Sequence, residues 1–95
     1  MTRGVVWSRD ALDDVRAQLA FIAADNPDAA RWVADALRDA AAALGRAPTG
    51  RPGRLTGVYE KSVAGLPYVI AYTIGGDTIA IVRVIHTARD WPKGQ

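Results

Sequence analysis

The sequence has no cysteine and only one histidine among its 95 residues. Without thiols there is neither a disulfide framework nor a thiolate metal site, a composition that suits a reducing cytoplasm. No apolar run approaches the roughly eighteen residues a membrane-spanning helix needs, and the N-terminus lacks an apolar stretch followed by small cleavage residues. None of GxGxxG, GxxxxGK or HExxH occurs, and no His/Cys spacing suits zinc, so neither a nucleotide cofactor nor a metal is expected. Glutamate appears once, at Glu60, against ten arginines. That inventory makes cationic stabilisation easy and acid/base catalysis difficult.

What is present is enough for one modest core. At 49% hydrophobic content, a chain of this length is expected to fold as a single domain over residues 1–95. The net charge of +2 is unevenly spread: residues 1–44 carry −2 and residues 45–95 carry +4. Such a split favours an acidic or phosphate-bearing partner on the C-terminal half, or simply a solvated basic edge.

Residues 68–92 organise the rest. Val, Ile, Tyr and Thr dominate two runs separated at Gly75-Gly76-Asp77, which reads as a hairpin of two strongly apolar strands. Upstream, Val5-Val6-Trp7 suits a short first strand. Ser8 offers an N-cap and Asp10 a first-turn carboxylate to a helix whose apolar positions Leu12, Val15, Leu19 and Ile22 form one face, with Phe21 on the opposite side. Asn26-Pro27-Asp28 ends that helix and starts another, giving an antiparallel helical hairpin. The second helix is expected to reach about Leu44 on Val33, Leu37, Ala40, Ala41 and Leu44, with Gly45 as its stop. Arg31 and Asp35 are spaced to pair on its wet side.

The glycines and prolines of residues 45–57 predict a loop without regular structure, carrying Arg46, Arg51 and Arg54. Residues 58–63 form a weakly apolar strand near a sheet edge, Pro67 opens the next strand, and residues 78–85 read as a central strand. The expected class is α+β: a short N-terminal strand and a helical hairpin packed on a three- to four-stranded antiparallel sheet.

Chemistry would sit where the last strand stops being plain core. Arg83 lies within an apolar run, so its guanidinium must reach an ion pair, with Glu60 or Asp90, or face an anion. His86 ends the strand, where it could be a hydrogen-bonded structural group or a general acid/base. Arg89 and Trp91 follow, able to grip a phosphate and a base or to cover the sheet edge. Metal-free RNA cleavage would have to draw on Arg83, Arg89, His86 and Glu60, so binding is the better physical expectation.

Read in order, Gly50-Arg51-Pro52-Gly53-Arg54, Gly57, Glu60, the PYVIAY run from Pro67 to Tyr72, and the RVIHTARDWP run from Arg83 to Pro92 resemble the RelE/ParE family of type II toxin-antitoxin toxins. The Trp7-led entry to the first helix and Ile22-Ala23-Ala24-Asp25-Asn26-Pro27 at the hairpin agree, so the resemblance spans almost the whole chain. It implies a bacterial cytoplasmic toxin neutralised by a cognate antitoxin, with no sequence-specific DNA binding of its own. RelE-like members cleave messenger RNA on the ribosome, whereas ParE-like members bind DNA gyrase. In RelE-like proteins the strand opened by Tyr68 carries a catalytic arginine beside its first tyrosine; here that position is Val69, and the PYVIAY and HTARDWP segments are closer to the ParE branch. One departure from that branch is Gly57-Val58-Tyr59-Glu60, where Gly-Thr-Arg-Glu is usual.

The implied site is target-binding, formed by Arg83, His86, Arg89 and Trp91, with Arg51 and Arg54 as steering charges. Phe21, Trp32 and Leu19 of the helical hairpin are the expected antitoxin contacts. The alternative is a RelE-like endoribonuclease using His86, Arg89 and Arg83, and a generic α+β interaction module is a third reading.

Overall fold

A computed structural model describes residues 2–89; Trp91 and Asp90, named above, lie outside the described residues. The elements are β1 (Gly4–Trp7), α1 (Arg9–Ala23), α2 (Pro27–Arg46), β2 (Arg51–Pro52), β3 (Tyr59–Ser62), β4 (Tyr68–Gly75) and β5 (Thr78–His86). They form two helices on a five-stranded mixed sheet of order β1-β5-β4-β3-β2, an α+β fold.

Two features of this sheet depart from expectation. β1 runs parallel to β5, with Gly4 opposite Thr78 and Trp7 opposite Ile81. The α1–α2 hairpin returns the chain before the meander begins, which allows the parallel pairing that a direct turn could not. The loop after α2 also contains a two-residue strand, pairing Arg51 with Glu60 and Pro52 with Tyr59. It covers the outer edge of β3, as short edge strands commonly do.

Local signals account for most boundaries. The Ser8 side chain accepts from Ala11 N at 3.0 Å, and the Asn26 side chain accepts from Ala29 N at 3.1 Å, so both helices start at the residues whose oxygens can cap them. Between β4 and β5, Gly76 takes φ +57°, a left-handed backbone suited to a two-residue hairpin and unfavourable to side chains.

Gly45 does not stop α2. The helix continues to Arg46, and Ala47 turns extended because it precedes Pro48. The glycine serves a close approach instead: a Cβ there would lie 2.6 Å from the Arg3 carbonyl oxygen and 2.9 Å from Val5 Cγ2. Arg3 N donates to Gly45 O at 2.7 Å, tying the entry of β1 to the end of α2.

The core joins Leu37, Leu44, Val33 and Ala41 of α2 to Tyr68, Ile70 and Tyr72 of β4 and Ile79, Ile81 and Val84 of β5. Helix α1 contributes differently from the apolar pattern. Ala11 and Gln18 are its buried residues, Val15, Leu19 and Ile22 pack partly against the core, and Leu12 is exposed. The helix is rotated towards its polar positions because Asp14 and Gln18 engage β5 and the turn after it. On α2 the wet-side pairs are Arg31 with Asp28 and Arg38 with Asp35, rather than Arg31 with Asp35.

Candidate functional site

The site begins where β1 ends. Beyond Ile81 the outer side of β5 has no β1 partner, because the chain leaves the sheet at Ser8 to enter α1. A strand left that way exposes backbone groups that must be satisfied elsewhere. Ser8 N donates to Ile81 O at 2.9 Å, and Ser8 Oγ donates to Val82 O at 3.0 Å while capping the helix. Farther along α1, the Asp14 carboxylate accepts from Val84 N at 2.9 Å. Side chains of one helix thus replace a missing strand.

A β-bulge lies at the same place. The register passes from Tyr72 opposite Ile81 to Ala71 opposite Arg83, leaving Val82 as the extra residue. The bulge keeps Ile81 and Val84 both in the core and turns Arg83 outward, where Asp14 receives its Nε at 2.8 Å and its Nη2 at 2.9 Å. Such a bidentate fork fixes the guanidinium plane as well as its position. Of the partners expected for Arg83, Asp90 lies outside the described residues and Glu60 is not the one met; Asp14, on a helix remote in sequence, pairs with it.

The next two α1 contacts hold Arg89. Its Nη2 donates to Gln18 Oε1, and its guanidinium lies 4.4 Å from the centre of the Phe21 ring. Asp14, Gln18 and Phe21, spaced i, i+4 and i+7, therefore engage the two arginines from one helix face. His86 shapes the turn between them. Its Nδ1 accepts from Ala88 N and Arg89 N, both at 3.2 Å, so the neutral ring carries its proton on Nε2. Its ring meets Tyr68 edge-on, 5.3 Å between centres. An open groove of about 440 Å³ runs beside these residues, lined by Phe21, Ile22, Val33, Tyr68, His86 and Arg89 among others.

His86, Arg89 and Phe21 are thus brought together at the C-terminal end of β5, while Arg83, three residues earlier and on the other face of the strand, is held by the same helix through Asp14. Arg51 is not in that group: it sits on β2, at the far end of a cross-strand row Arg51–Glu60–Ala71–Arg83. Arg54 follows that strand, with its backbone N donating to Glu60 Oε2 at 3.3 Å. Leu19 packs against the core, whereas Phe21 and Trp32 are exposed.

The register also separates the acid/base candidates. Glu60 pairs with Ala71 and so shares the sheet face of Ala71 and Arg83, while His86 pairs with Tyr68 on the core-facing side. Val69, buried opposite Ile85, adds no polar group. Among the described residues no cluster of His, Cys, Asp or Glu could hold a metal, and no helix is long and apolar enough to cross a membrane.

Asp14 and Gln18 escaped the sequence reading. Their signal was a polar residue at a helix position one turn from apolar ones, which does not differ from an ordinary wet face until the helix's rotation is known.

Comparison with known proteins gives a consistent neighbourhood. Residues 5–91 match the family model of the ParE toxin of the type II toxin-antitoxin system parDE. The Y4kP protein of Sinorhizobium fredii, named as a candidate toxin, is 38% identical over 88 residues, covering 92% of this chain and 91% of that one. Toxin RelE2 of Caulobacter vibrioides is 38% identical over 86 residues, covering 90% of this chain and 96% of that one. Among solved structures, a chain of the chromosomal ParDE TA system from P. aeruginosa superposes with a TM-score of 0.78 over 87% of this chain and 94% of that chain; at 21% identity this speaks for the fold alone.

Proposed function

The chain belongs to the ParE toxin family of type II toxin-antitoxin systems, and from that membership we propose that it arrests bacterial growth by binding DNA gyrase, without catalysis, until a cognate antitoxin covers it. The observation that carries the non-catalytic reading is the disposition of the acid/base groups. Glu60 and His86 face opposite sides of the sheet, and the position between Glu60 and Arg83 is Ala71. RNA cleavage needs one group to take the 2′-hydroxyl proton and another to protonate the leaving oxygen, both within reach of one phosphate. Two cations engaged by α1, one of them lining an apolar groove, suit recognition of a protein surface better, since arginine and aromatic anchors dominate such contacts.

In this reading Arg83, His86, Arg89 and Trp91 meet the target, and Arg51 and Arg54 steer it. Phe21 and Trp32 are the exposed hydrophobic contacts for the antitoxin. The protein works as a single cytoplasmic domain.

The second reading, a ribosome-dependent messenger ribonuclease, draws on the 38% identity to a protein named toxin RelE2. Expression without antitoxin separates the two. Inhibition of supercoiling by purified gyrase, with ribosome-bound messenger left intact, is the expected result; codon-positioned cleavage with supercoiling unaffected overturns it.

A further inference from the structure

Apart from the core tyrosines, Gln18 is the one buried polar side chain among the described residues, and its Oε1 accepts from Arg89, an exposed residue on the turn after β5. A buried amide aimed at a surface arginine needs a reason, because an apolar residue would fill the same space without a polar group to satisfy. The same helix face supplies Asp14 to Arg83 and the Phe21 ring to Arg89. Three successive contacts of one helix thus determine where both guanidiniums point.

We propose that Asp14, Gln18 and Phe21 of α1 are positioning residues that hold Arg83 and Arg89 in the arrangement a target meets, so that α1 sets the potency of the edge formed by β5. This rests on the reading of that edge as the target-binding surface. Arginine side chains lose much rotamer freedom when they bind, and a fork already held in place loses less. Asp14 fixes the plane of one guanidinium, Gln18 fixes the reach of the other, and Phe21 supports it from below. Each contact leaves some of its arginine accessible: Arg83 keeps 57% side-chain exposure and Arg89 is exposed.

Substitutions at Gln18 separate positioning from packing. Gln18→Leu keeps the volume and removes the acceptor; Gln18→Glu keeps an acceptor at the same reach. Amide hydrogen exchange across β5 reports whether the fold holds in each. The proposal expects the concentration of Gln18→Leu protein for half-inhibition of gyrase supercoiling to rise about tenfold, the equivalent of one charge-assisted hydrogen bond, and Gln18→Glu to recover most of that loss. A packing role expects the opposite order, because leucine suits a buried seat and a carboxylate does not. A Gln18→Leu protein as potent as the native chain, or a Gln18→Glu protein weaker than Gln18→Leu, overturns the proposal.

If the native chain does not touch gyrase, the gyrase reading falls on its own. Hydrogen exchange at the Arg89 guanidinium, followed by NMR in the native, Gln18→Leu and Gln18→Glu proteins, then decides. Protection lost in Gln18→Leu and regained in Gln18→Glu upholds the positioning role; protection unchanged in Gln18→Leu refutes it.

Discussion

Replacing Asp14 by alanine should destabilise the fold more than any other change to an acidic side chain described here. Its carboxylate does two things at once. It accepts from Val84 N at 2.9 Å, where β5 has outrun β1, and it holds Arg83 by two hydrogen bonds of 2.8 and 2.9 Å. Val84 is 1% exposed, so water does not easily replace the lost acceptor, and leaving such an N–H unsatisfied costs about 1–3 kcal/mol. The ion pair adds less. Arg83 keeps 57% of its side chain exposed against 16% for Asp14, and solvent screening limits a pair of that kind to about 0.5 kcal/mol.

Together the loss is about 2 kcal/mol, or about 10 °C in Tm for a domain of this size. Asp14→Asn keeps an oxygen for Val84 N but gives up the charge and the acceptor for Arg83 Nη2, so it should lose about 1 kcal/mol and about 5 °C. Thermal unfolding by circular dichroism measures both, and amide exchange at Val84 localises the effect. An Asp14→Ala protein that melts within about 1 °C of the native chain refutes the edge-capping role. An Asp14→Asn protein as unstable as Asp14→Ala refutes the division between acceptor and charge.

Three other outcomes follow from the same structure. Gly45→Ala places a methyl 2.6 Å from the Arg3 carbonyl and must push β1 from α2; urea unfolding should show a loss of about 1–3 kcal/mol, and an unchanged midpoint contradicts the close-approach account. Burial raises the pKa of Tyr72 above its ordinary 10.0, against the hydrogen bond from Gly50 N, which lowers it. The folded state therefore favours the protonated phenol. That contribution to stability is complete below pH 10.0 and is lost as pH rises through the folded value, so alkaline unfolding should be less steep in Tyr72→Phe. Because Phe21 both lines the groove and lies against the Arg89 guanidinium, Phe21→Ala should weaken antitoxin binding and toxicity together, each by about tenfold or more; calorimetry and growth assays showing a change in only one would separate the two surfaces.

Elements with strong periodicity are legible in the sequence alone. The hairpin of β4 and β5, both helix N-caps and the helix-to-helix turn at Asn26-Pro27 all carry local signals that tertiary packing did not override. What was hidden depends on distance in sequence. The parallel pairing of β1 with β5 joins residues more than seventy positions apart, and nothing in Val5-Val6-Trp7 states its direction. Gly45 read as a helix stop because a glycine after an apolar face usually is one; only the approach of Arg3 and Val5 gives its actual role.

The candidate site followed the same pattern. Arg83, His86 and Arg89 are conspicuous as polar residues at the end of an apolar strand; the fold joins His86 to Arg89 and ties Arg83 to the helix that also holds Arg89. Asp14 stands beside Asp13, and the sequence does not say which of the two meets β5. Helix rotation decides: Asp14 engages Arg83, while Asp13 pairs with Arg16 at the surface.

On the proposed function this edge grips a protein rather than cutting RNA. Titrating the purified native chain and Arg89→Ala into a gyrase supercoiling reaction tests it most directly. Arg89 is exposed but donates to the buried Gln18 Oε1, so its truncation should cost the fold about 1 kcal/mol, which thermal unfolding of the variant checks. Dose-dependent inhibition by the native chain and at least about tenfold weaker inhibition by Arg89→Ala are expected. Full supercoiling at every concentration of the native chain would contradict the proposed function.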